Sequence, residues 1–385
     1  MEKATGKSGP LAGFTIIEMA GLGPVPLAGL ILSELGARVV RIERLGSGRA
    51  FLDLPPALDL DRHGREILRI DLKSSEGASL VMRLIAQADA LLEGFRPGVM
   101  ERLGLGPEAV HEVNPRLVYG RMTGFGQDGP LAQKAGHDLT YLALSGALGA
   151  IGTKGGKPVP PLNLAADYGG GTMFLIMGIL AALLERGRSG QGQVVDAAMI
   201  DGASMLAAPF FSFIAAGIWS EKRGTNLLDS GAPFYDTYEC ADGEYVAVAC
   251  LEPQFFAEFC QLLPLEERFS NAQYDQAQWP AMRSAIAERI VQRTRDEWSQ
   301  LFESTDACVA PVLSFTEAPD HPHNKARTTH LHSDAMVRPA PAPRFSRTAS
   351  TATTAIIEDA NSTLGAFGLT LDEIGELAKR GTIGR

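Results

Sequence analysis

The sequence predicts an α/β layer structure in the first half of the chain and a smaller α+β unit after it. Residues 14–44 have the pattern of strand, loop, helix and strand, a βαβ unit that implies parallel pairing and a right-handed crossover. Strand-like and helix-like segments keep alternating as far as residue 122. Beyond residue 221 the pattern changes to a hairpin followed by amphipathic helices, which marks the second unit.

The elements of the first half follow from apolar spacing and chain breakers. Residues 14–19 are rich in β-forming residues, and the glycines and prolines of 21–26 break the chain. Apolar residues at helical spacing fill 27–35, Gly36 closes that helix, and 38–42 form a second strand. Further strands are predicted at 67–71, 89–92 and 117–122, with helices at 75–87 and 107–112.

The second half begins with a turn at 188–192 and a long apolar helix at 198–217. The alternating segments 234–238 and 244–250 flank Ala241-Asp242-Gly243, which predicts a hairpin. The remaining predicted elements are helices at 254–262, 279–293 and 295–303, an extended strap rich in proline and arginine at 337–350, and a last helix at 371–380 that we expect to pack on the first domain.

Composition limits the function classes. The 385 residues are 45% hydrophobic and 21% charged, which is ordinary for a globular protein. The net charge of −10 argues against a general nucleic-acid or membrane-surface binder. The four cysteines have no CxxC spacing, as expected for free thiols in a reducing compartment. Since residues 1–9 lack a signal-peptide core and the apolar run at 173–184 is short for a bilayer, we expect a soluble cytoplasmic protein.

Two short polar motifs stand out in apolar surroundings. They are 136–141, which contains His137, and 167–171, which begins with Asp167. Each places a titratable group before an apolar helical stretch, at 142–151 and 173–184 respectively. Two proton carriers of different type can face one carbon from opposite sides, an arrangement that suits reversible removal of a proton next to a carbonyl.

Structural alternatives exist for each of these residues. The alternative for His137 is a buried histidine bonded to a backbone carbonyl, and the alternative for Asp167 is a helix N-cap. Glu252 precedes Pro253, so it too has the pattern of an N-cap with proline at the first helical position.

Other motifs give weaker signals. Gly21-Leu22-Gly23 with Glu43 suggests dinucleotide binding, but the third glycine is missing and prolines follow, so a nicotinamide cofactor is not favoured. Arg44, Arg96 and Arg102 follow predicted strands, where they could hold a polyphosphate or be solvated surface residues. Four histidines lie close together, at 321, 323, 330 and 332, yet in a segment of loop composition, and we predict no metal site.

Several segments resemble the family III CoA-transferases over nearly the whole chain. They are Gly36–Ile42, Ile70–Lys73, Arg96–Val99, Arg102–Pro107, Gly124–Gln127, Gly136–Asp138, Leu162–Leu164 with Asp167, Gly231–Tyr235 and Glu252–Phe255. The histidine of Gly136-His137-Asp138 resembles the branch of this family that racemises 2-methylacyl-CoA thioesters. Members that transfer CoA between acids keep the aspartate as a nucleophile but generally lack this histidine.

The resemblance implies a fold and an assembly. It implies a Rossmann-like large domain, 1–220 completed by 330–385, a small α+β domain at 225–325, and an interlocked homodimer. Each active site would lie where the large domain of one subunit meets the small domain of the other. The implied partner is an acyl-CoA substrate, with no cofactor, metal, nucleic acid or membrane, and the implied role is in fatty-acid metabolism.

The resemblance also implies the chemistry. It implies inversion of the 2-methyl stereocentre by 1,1-proton transfer through an enolate. The open alternatives are a CoA-transferase that forms an aspartyl-CoA thioester at Asp167, and a CoA-binding homologue without catalysis. Because the pKa of an aspartate is normally about 3.9, burial must raise the pKa of Asp167 if this residue is to act as a general acid.

Residue roles carry over by position. His137 and Asp167 would be the acid/base pair, Glu252 would orient or charge the imidazole, and the Asp138 backbone N–H would lie near the thioester oxygen. The residues implied for CoA are Arg44, Ile70, Asp71, Leu72, Lys73, Arg96 and Arg102, and those for the thioester are Gly136, Leu139, Thr140 and Tyr141. The segment 45–66 departs from the more basic loop of relatives, so we assign no role to Arg62 or Arg65.

Overall fold

The computed structural model describes residues 8–46 and 54–384. The chain divides into two compact units. The first comprises the described residues of Met1–Ser145, Leu162–Leu206 and Thr328–Arg385, and the second comprises Gly146–Pro161 and Ala207–Arg327. The domain limits that the resemblance implies, 1–220 with 330–385 and 225–325, remain predictions.

The first unit is built on a seven-stranded parallel sheet. In spatial order its strands are Ile356–Ile357, Arg65–Ile70, Arg38–Arg44, Thr15–Met19, Ala90–Glu93, Val118–Thr123 and Val194–Ala198. Leaving aside the first of these, the strands stand in the chain order 3-2-1-4-5-6, the doubly wound order of Rossmann folds. The order reverses beside Thr15–Met19, and ligands bind such sheets at that switch point, beyond the carboxyl ends of the strands.

Burial explains the apolar strands of this sheet. Ile16 and Ile17 are both fully buried although they point to opposite faces, as expected where helices cover both sides of a parallel sheet. The helices of the first unit are Pro24–Glu34, Ser75–Ile85, Val99–Arg102, Pro107–Val113, Asp138–Leu144, Met173–Ser189, Met199–Leu206, Ala360–Gly365 and Leu371–Lys379, with a 3-10 turn at Pro56–Leu58 and a π-helical segment at Leu164–Thr172. Ile374 and Leu377 of the last helix share a core with Leu80 and Leu84.

The second unit is a small antiparallel sheet covered by helices. Its strands are Tyr235–Glu239, Tyr245–Ala249 and Val309–Pro311. The first two form the hairpin that the sequence predicts, with Tyr238 opposite Val246. The helices are Ala147–Ala150, Ala208–Ala215, Pro253–Leu262, Glu267–Ser270, Trp279–Ile290, Arg295–Phe302 and Pro322–Arg327, with a 3-10 turn at Ala318–Asp320. Phe234, Phe256 and Phe259 are fully buried at the centre of this unit.

Two predicted helices are each divided. The helix expected at 198–217 consists of Met199–Leu206 and Ala208–Ala215, because Pro209 in the first turn of the second piece has no N–H to continue the first. The stretch 142–151 belongs to Asp138–Leu144 and Ala147–Ala150, which are separated by Gly146 with a φ of 87°. A left-handed residue of this kind ends a helix. The proline-rich strap starts as a strand, Val337–Pro339, which pairs with His330–His332.

The apolar helix after Asp167 is longer than the sequence predicts. Among the described residues, Leu164–Ser189 is the one helix that is long and apolar enough, by length and composition, to cross a membrane. Leu175 and Ile179 of this helix are fully buried, and Arg186 forms an ion pair with Asp89 at 2.9 Å. We therefore interpret it as a core helix of the α/β layer.

Candidate active site

His137 lies at the start of a helix in the first unit. It is the N-cap residue of Asp138–Leu144, with an extended backbone (φ −140°, ψ 170°). Its N–H donates to Thr140 Oγ1 at 3.0 Å, and the Thr140 hydroxyl donates to the His137 carbonyl at 2.7 Å. The His137 side chain is exposed within the chain, so the alternative interpretation as a buried histidine is wrong.

Asp138 joins the two motifs directly. Its side chain is buried, with 6% of the residue exposed. Its Oδ1 atom accepts the backbone N–H of Ala166 at 2.9 Å and that of Asp167 at 2.7 Å. The structure thus brings the histidine motif and the aspartate motif together through hydrogen bonds that the sequence analysis did not foresee.

Asp167 lies within the π-helical segment Leu164–Thr172 and is half-buried. The N-cap position belongs to Asn163, so the interpretation of Asp167 as an N-cap is wrong. Burial raises the pKa of Asp167 and the negative charge of Asp138 raises it further, whereas a hydrogen bond from Asn163 and the charge of His137 lower it. The net rise favours the protonated carboxyl that a general acid requires.

Asn163 is a residue of this site that the sequence analysis missed. Its Nδ2 donates to Asp167 Oδ2 at 3.4 Å. The signal available in the sequence was the four-residue spacing between Asn163 and Asp167, which places two side chains on one helical face.

Tyr141 forms the apolar wall of the cluster. Its ring lies edge-on to Phe125, with centroids 4.9 Å apart, and a Cβ atom on Gly124 or Gly136 would stand 2.1 or 2.5 Å from it. Burial raises the pKa of Tyr141 to about 12, and the Asp167 charge also raises it, while Arg96 lowers it. The Tyr141 hydroxyl therefore keeps its proton at neutral pH, and Arg96 acts electrostatically on the same cluster.

The other residues expected to hold the thioester lie in the first turn of Asp138–Leu144 or, for Gly136, directly before its N-cap. Leu139 and Thr140 are exposed, Gly136 is half-buried, and Asp138 begins the helix, so its backbone N–H is one of those that lack a partner within the helix. Helix N-termini favour negative charge, which suits the developing oxygen of an enolate.

The residues expected to bind CoA lie at or after the carboxyl ends of parallel strands. Arg44 ends its strand opposite Ile70, and Arg96 and Arg102 follow Ala90–Glu93; all three arginines are exposed. Ile70 is fully buried, backbone included, so its expected contact with CoA stays a prediction. Asp71 Oδ1 accepts the N–H of Lys73 at 3.0 Å, which shapes a turn that also includes the half-buried Leu72.

The charged residues near 45–66 form ion pairs within the first unit. Arg65 is fully buried and pairs with Glu18 at 3.2 Å. Arg62 pairs with Glu43 at 3.2 Å and with Glu358. Because Glu43 also pairs with Arg41, its carboxylate is occupied, which argues further against its role as a ribose acceptor. Residues 47–53 of the departing segment lie outside the described residues.

Glu252 belongs to the second unit. It is exposed and occupies the N-cap position of Pro253–Leu262, with Pro253 in the first turn. Its role beside the imidazole stays a prediction. Within residues 8–46 and 54–384, no group of three or more histidine, cysteine, aspartate or glutamate side chains is placed to hold a metal ion.

Fold and site define a class of protein: a doubly wound α/β enzyme whose parallel sheet carries arginines at its ligand edge and whose histidine and aspartate motifs meet. The chain belongs to CoA-transferase family III, whose family model matches residues 11–366. It is 47% identical to alpha-methylacyl-CoA racemase of Mus musculus over 88% of this chain and 87% of the relative. It is 44% identical to alpha-methylacyl-CoA racemase of Homo sapiens over 86% of each chain.

A solved structure agrees with the fold. The crystal structure of a CAIB/BAIF family protein from Brucella suis covers 94% of this chain and 99% of its own, with a TM-score of 0.78 and 26% identity. The large parallel sheet and the small antiparallel sheet therefore form the architecture of this family.

Proposed function

We propose that this protein is a racemase that inverts the 2-methyl stereocentre of 2-methylacyl-CoA thioesters. The observation that carries the proposal is the identity of 47% and 44% with two relatives named alpha-methylacyl-CoA racemase. The hydrogen bond from the Asp167 N–H to Asp138, which neighbours His137, and the electrostatic effect of His137 on Asp167 support the chemistry.

The proposed reaction needs only proton transfers. One group of the His137 and Asp167 pair takes the C2 hydrogen as a proton, and the electron pair moves to the thioester oxygen as an enolate. The other group then delivers a proton to the opposite face, and the roles reverse for the other enantiomer. Backbone donors at the start of Asp138–Leu144 stabilise the enolate, each by about 3 kcal/mol. No cofactor enters this scheme, since CoA is part of the substrate.

Three arginines support an acyl-CoA thioester as the class of substrate. Guanidinium groups match phosphate geometry, and Arg44, Arg96 and Arg102 are exposed at the ligand edge of the sheet. In this proposal they bind the CoA phosphates, while the turn at 71–73, directly after the buried Ile70, contacts the nucleotide.

Hydrogen exchange tests the proposal directly. In deuterated water the purified protein, without added cofactor, should introduce deuterium at C2 of a 2-methylacyl-CoA while the optical activity decays. Absence of both changes with folded, CoA-binding protein would refute the racemase assignment.

The alternative is a CoA-transferase that forms an aspartyl-CoA thioester at Asp167. It draws support from relatives such as the acetyl-CoA:oxalate CoA-transferase of Acetobacter aceti, which is 29% identical over 86% of this chain. Trapping of an Asp167 adduct by hydroxylamine, or transfer of CoA to a free acid, would favour it.

We also propose the interlocked homodimer, with Glu252 supplied to each site by the second copy. Exposed apolar side chains support an extensive contact in each unit: Leu164, Met173, Met177, Leu184 and Met205 in the first, and Phe211, Ile214 and Ile218 in the second. A cytoplasmic location is supported by four cysteines that are all free thiols, three of them buried.

A further inference from the structure

The carboxylate of Asp138 has an arrangement that its proposed backbone role does not explain. Asp138 Oδ1 accepts two backbone N–H groups, from Ala166 and Asp167, at 2.9 and 2.7 Å. Asp138 Oδ2 is buried and has no hydrogen-bond partner among the described residues. Burial of an oxygen atom without a hydrogen-bond partner costs free energy. A neutral or apolar side chain at position 138 would avoid this cost, so a buried charge there points to a function of that charge.

The two donated N–H groups belong to the start of a helix. Ala166 and Asp167 lie in the first turn of Leu164–Thr172, where backbone N–H groups lack partners within the helix. The N-cap residue Asn163 makes no side-chain capping bond there. Asp138 thus acts as the cap from a distant part of the chain, and an ionised acceptor strengthens both bonds.

From this geometry we propose that the Asp138 carboxylate is a positioning residue that clamps the backbone at Asp167 to the motif that carries His137. The proposal rests on the proposed racemase function and deepens it. Asp138 has two separable parts in this scheme: its N–H faces the substrate oxygen, and its side chain fixes the distance between the two proton carriers.

The charge of the clamp has a second consequence. The ionisable groups that act on Asp167 are His137 and Asp138, and Tyr141 interacts with Asp167, Asp138 and Arg96. Burial is the main cause of the raised pKa of Asp167, and the charge of Asp138 adds to it. Removal of that charge should therefore lower the pKa of Asp167 and reduce the fraction of the protonated acid at neutral pH.

Two substitutions separate the clamp from its charge. Asp138→Asn keeps an oxygen that can accept both N–H groups but removes the charge, whereas Asp138→Ala removes both. Asp359→Asn is the control, because Asp359 caps Ala360–Gly365 through a 3.1 Å bond to the Ser362 N–H, outside the proposed site.

Hydrogen–deuterium exchange of the wild-type protein and each variant measures the clamp without any assay of activity. We expect protection at 164–172 to fall in Asp138→Ala and to persist in Asp138→Asn and Asp359→Asn. Unchanged protection in a folded Asp138→Ala variant would overturn the clamp, whether or not the wild type is a racemase.

The pH dependence of C2 exchange then tests the effect of the Asp138 charge on Asp167. We expect Asp138→Asn to move the limb that reports on Asp167 to lower pH and to reduce exchange at pH 7 by about tenfold, while the Asp359→Asn profile stays in place. A wild-type profile and rate in Asp138→Asn would overturn the electrostatic part. Absence of exchange in the wild type would instead count against the proposed function alone.

Discussion

At the scale of single residues, two neighbouring carboxyl groups have different environments. The Asp138 carboxylate is buried and accepts backbone N–H groups. Asp167 is half-buried, and its carboxyl group accepts a hydrogen bond from the side-chain amide of Asn163. The type of each group, a histidine and an aspartate before apolar helices, could be predicted from the sequence alone. The side-chain role of Asp138 could not be predicted, because its partners Ala166 and Asp167 lie more than twenty-five residues away along the chain, where local spacing gives no signal. The contact of Asn163 with Asp167 is local, four residues apart, and this spacing was the signal that could have revealed it.

The first prediction concerns Asp167. Asp167→Asn should reduce C2 deuterium exchange by about a thousandfold, because it removes one proton carrier while it keeps the size of the side chain. CoA binding, measured by calorimetry, should stay within a few-fold of the wild type. A variant that still exchanges at the wild-type rate would exclude Asp167 from the chemistry.

A second prediction concerns Glu93, at the end of the strand before Arg96. Burial raises the pKa of Glu93 to about 7, although the Phe95 N–H and Arg121 lower it. An acid with a higher pKa in the folded state than its usual 4.5 takes up a proton on folding between these values, so stability rises as the pH falls from 7 towards 4.5.

Glu93→Gln removes this linkage. Relative to Glu93→Gln, the wild type should gain on the order of 1–3 kcal/mol in unfolding free energy between pH 8 and pH 5.5. Thermal melts at both pH values give the difference, and Glu108→Gln, at an exposed glutamate, controls for the loss of a carboxylate. A difference that does not change with pH would contradict the buried acid.

At the scale of elements, the site depends on a close crossing of helices. A Cβ atom on Gly170 would stand 2.6 Å from the Ala203 backbone nitrogen, and one on Gly202 would stand 1.9 Å from the Gly170 oxygen. This contact holds the π-helical segment of Asp167 against Met199–Leu206. The sequence 167–171 resembles a loop because glycines have low helix propensity, so the segment could be recognised as helical only from its tertiary contacts.

Gly170→Ala should therefore lower both stability and activity. We expect a loss of about 1–3 kcal/mol and a clear fall in C2 exchange, since the neighbouring backbone has to move. Gly375→Ala, within Leu371–Lys379 and with no atom within 4 Å of its added Cβ, should be neutral or stabilising. Equal melting temperatures for the two variants would count against the close crossing.

The sequence also predicts the inner strands better than the edges. Buried strands such as Thr15–Met19 and Val118–Thr123 are rich in apolar and β-forming residues and could be located from composition, although each also contains a buried charged residue. Ile356–Ile357 and Val309–Pro311 are two and three residues long, too short for any alternation to show. They are strands only because a partner strand lies beside them.

At the scale of the whole molecule, the family assignment and the proposed assembly lead to a further prediction. If two copies interlock, each passes through a ring formed by the other, and dissociation requires unfolding. Analytical ultracentrifugation should therefore give a molecular mass twice the 41.0 kDa of one chain, and dilution should not produce monomers.

Subunit exchange tests whether the two chains of a dimer are interlocked. Tagged and untagged dimers mixed in the folded state should yield no mixed dimers over days, while mixtures refolded together from denaturant should yield them. Mixed dimers formed under native conditions would show an ordinary, separable interface.

The edge strand Ile356–Ile357 has a consequence for folding during protein synthesis. It pairs with Arg65–Ile70, so the border of a sheet that begins near residue 15 is completed by residues synthesised long after the strand that they pair with. Until Ile356–Ile357 has been synthesised, Arg65–Ile70 presents unpaired backbone groups to other nascent chains. The molecule is therefore vulnerable during translation, and chains that stop short of residue 356 are candidates for aggregation and for removal by the quality-control machinery of the cell.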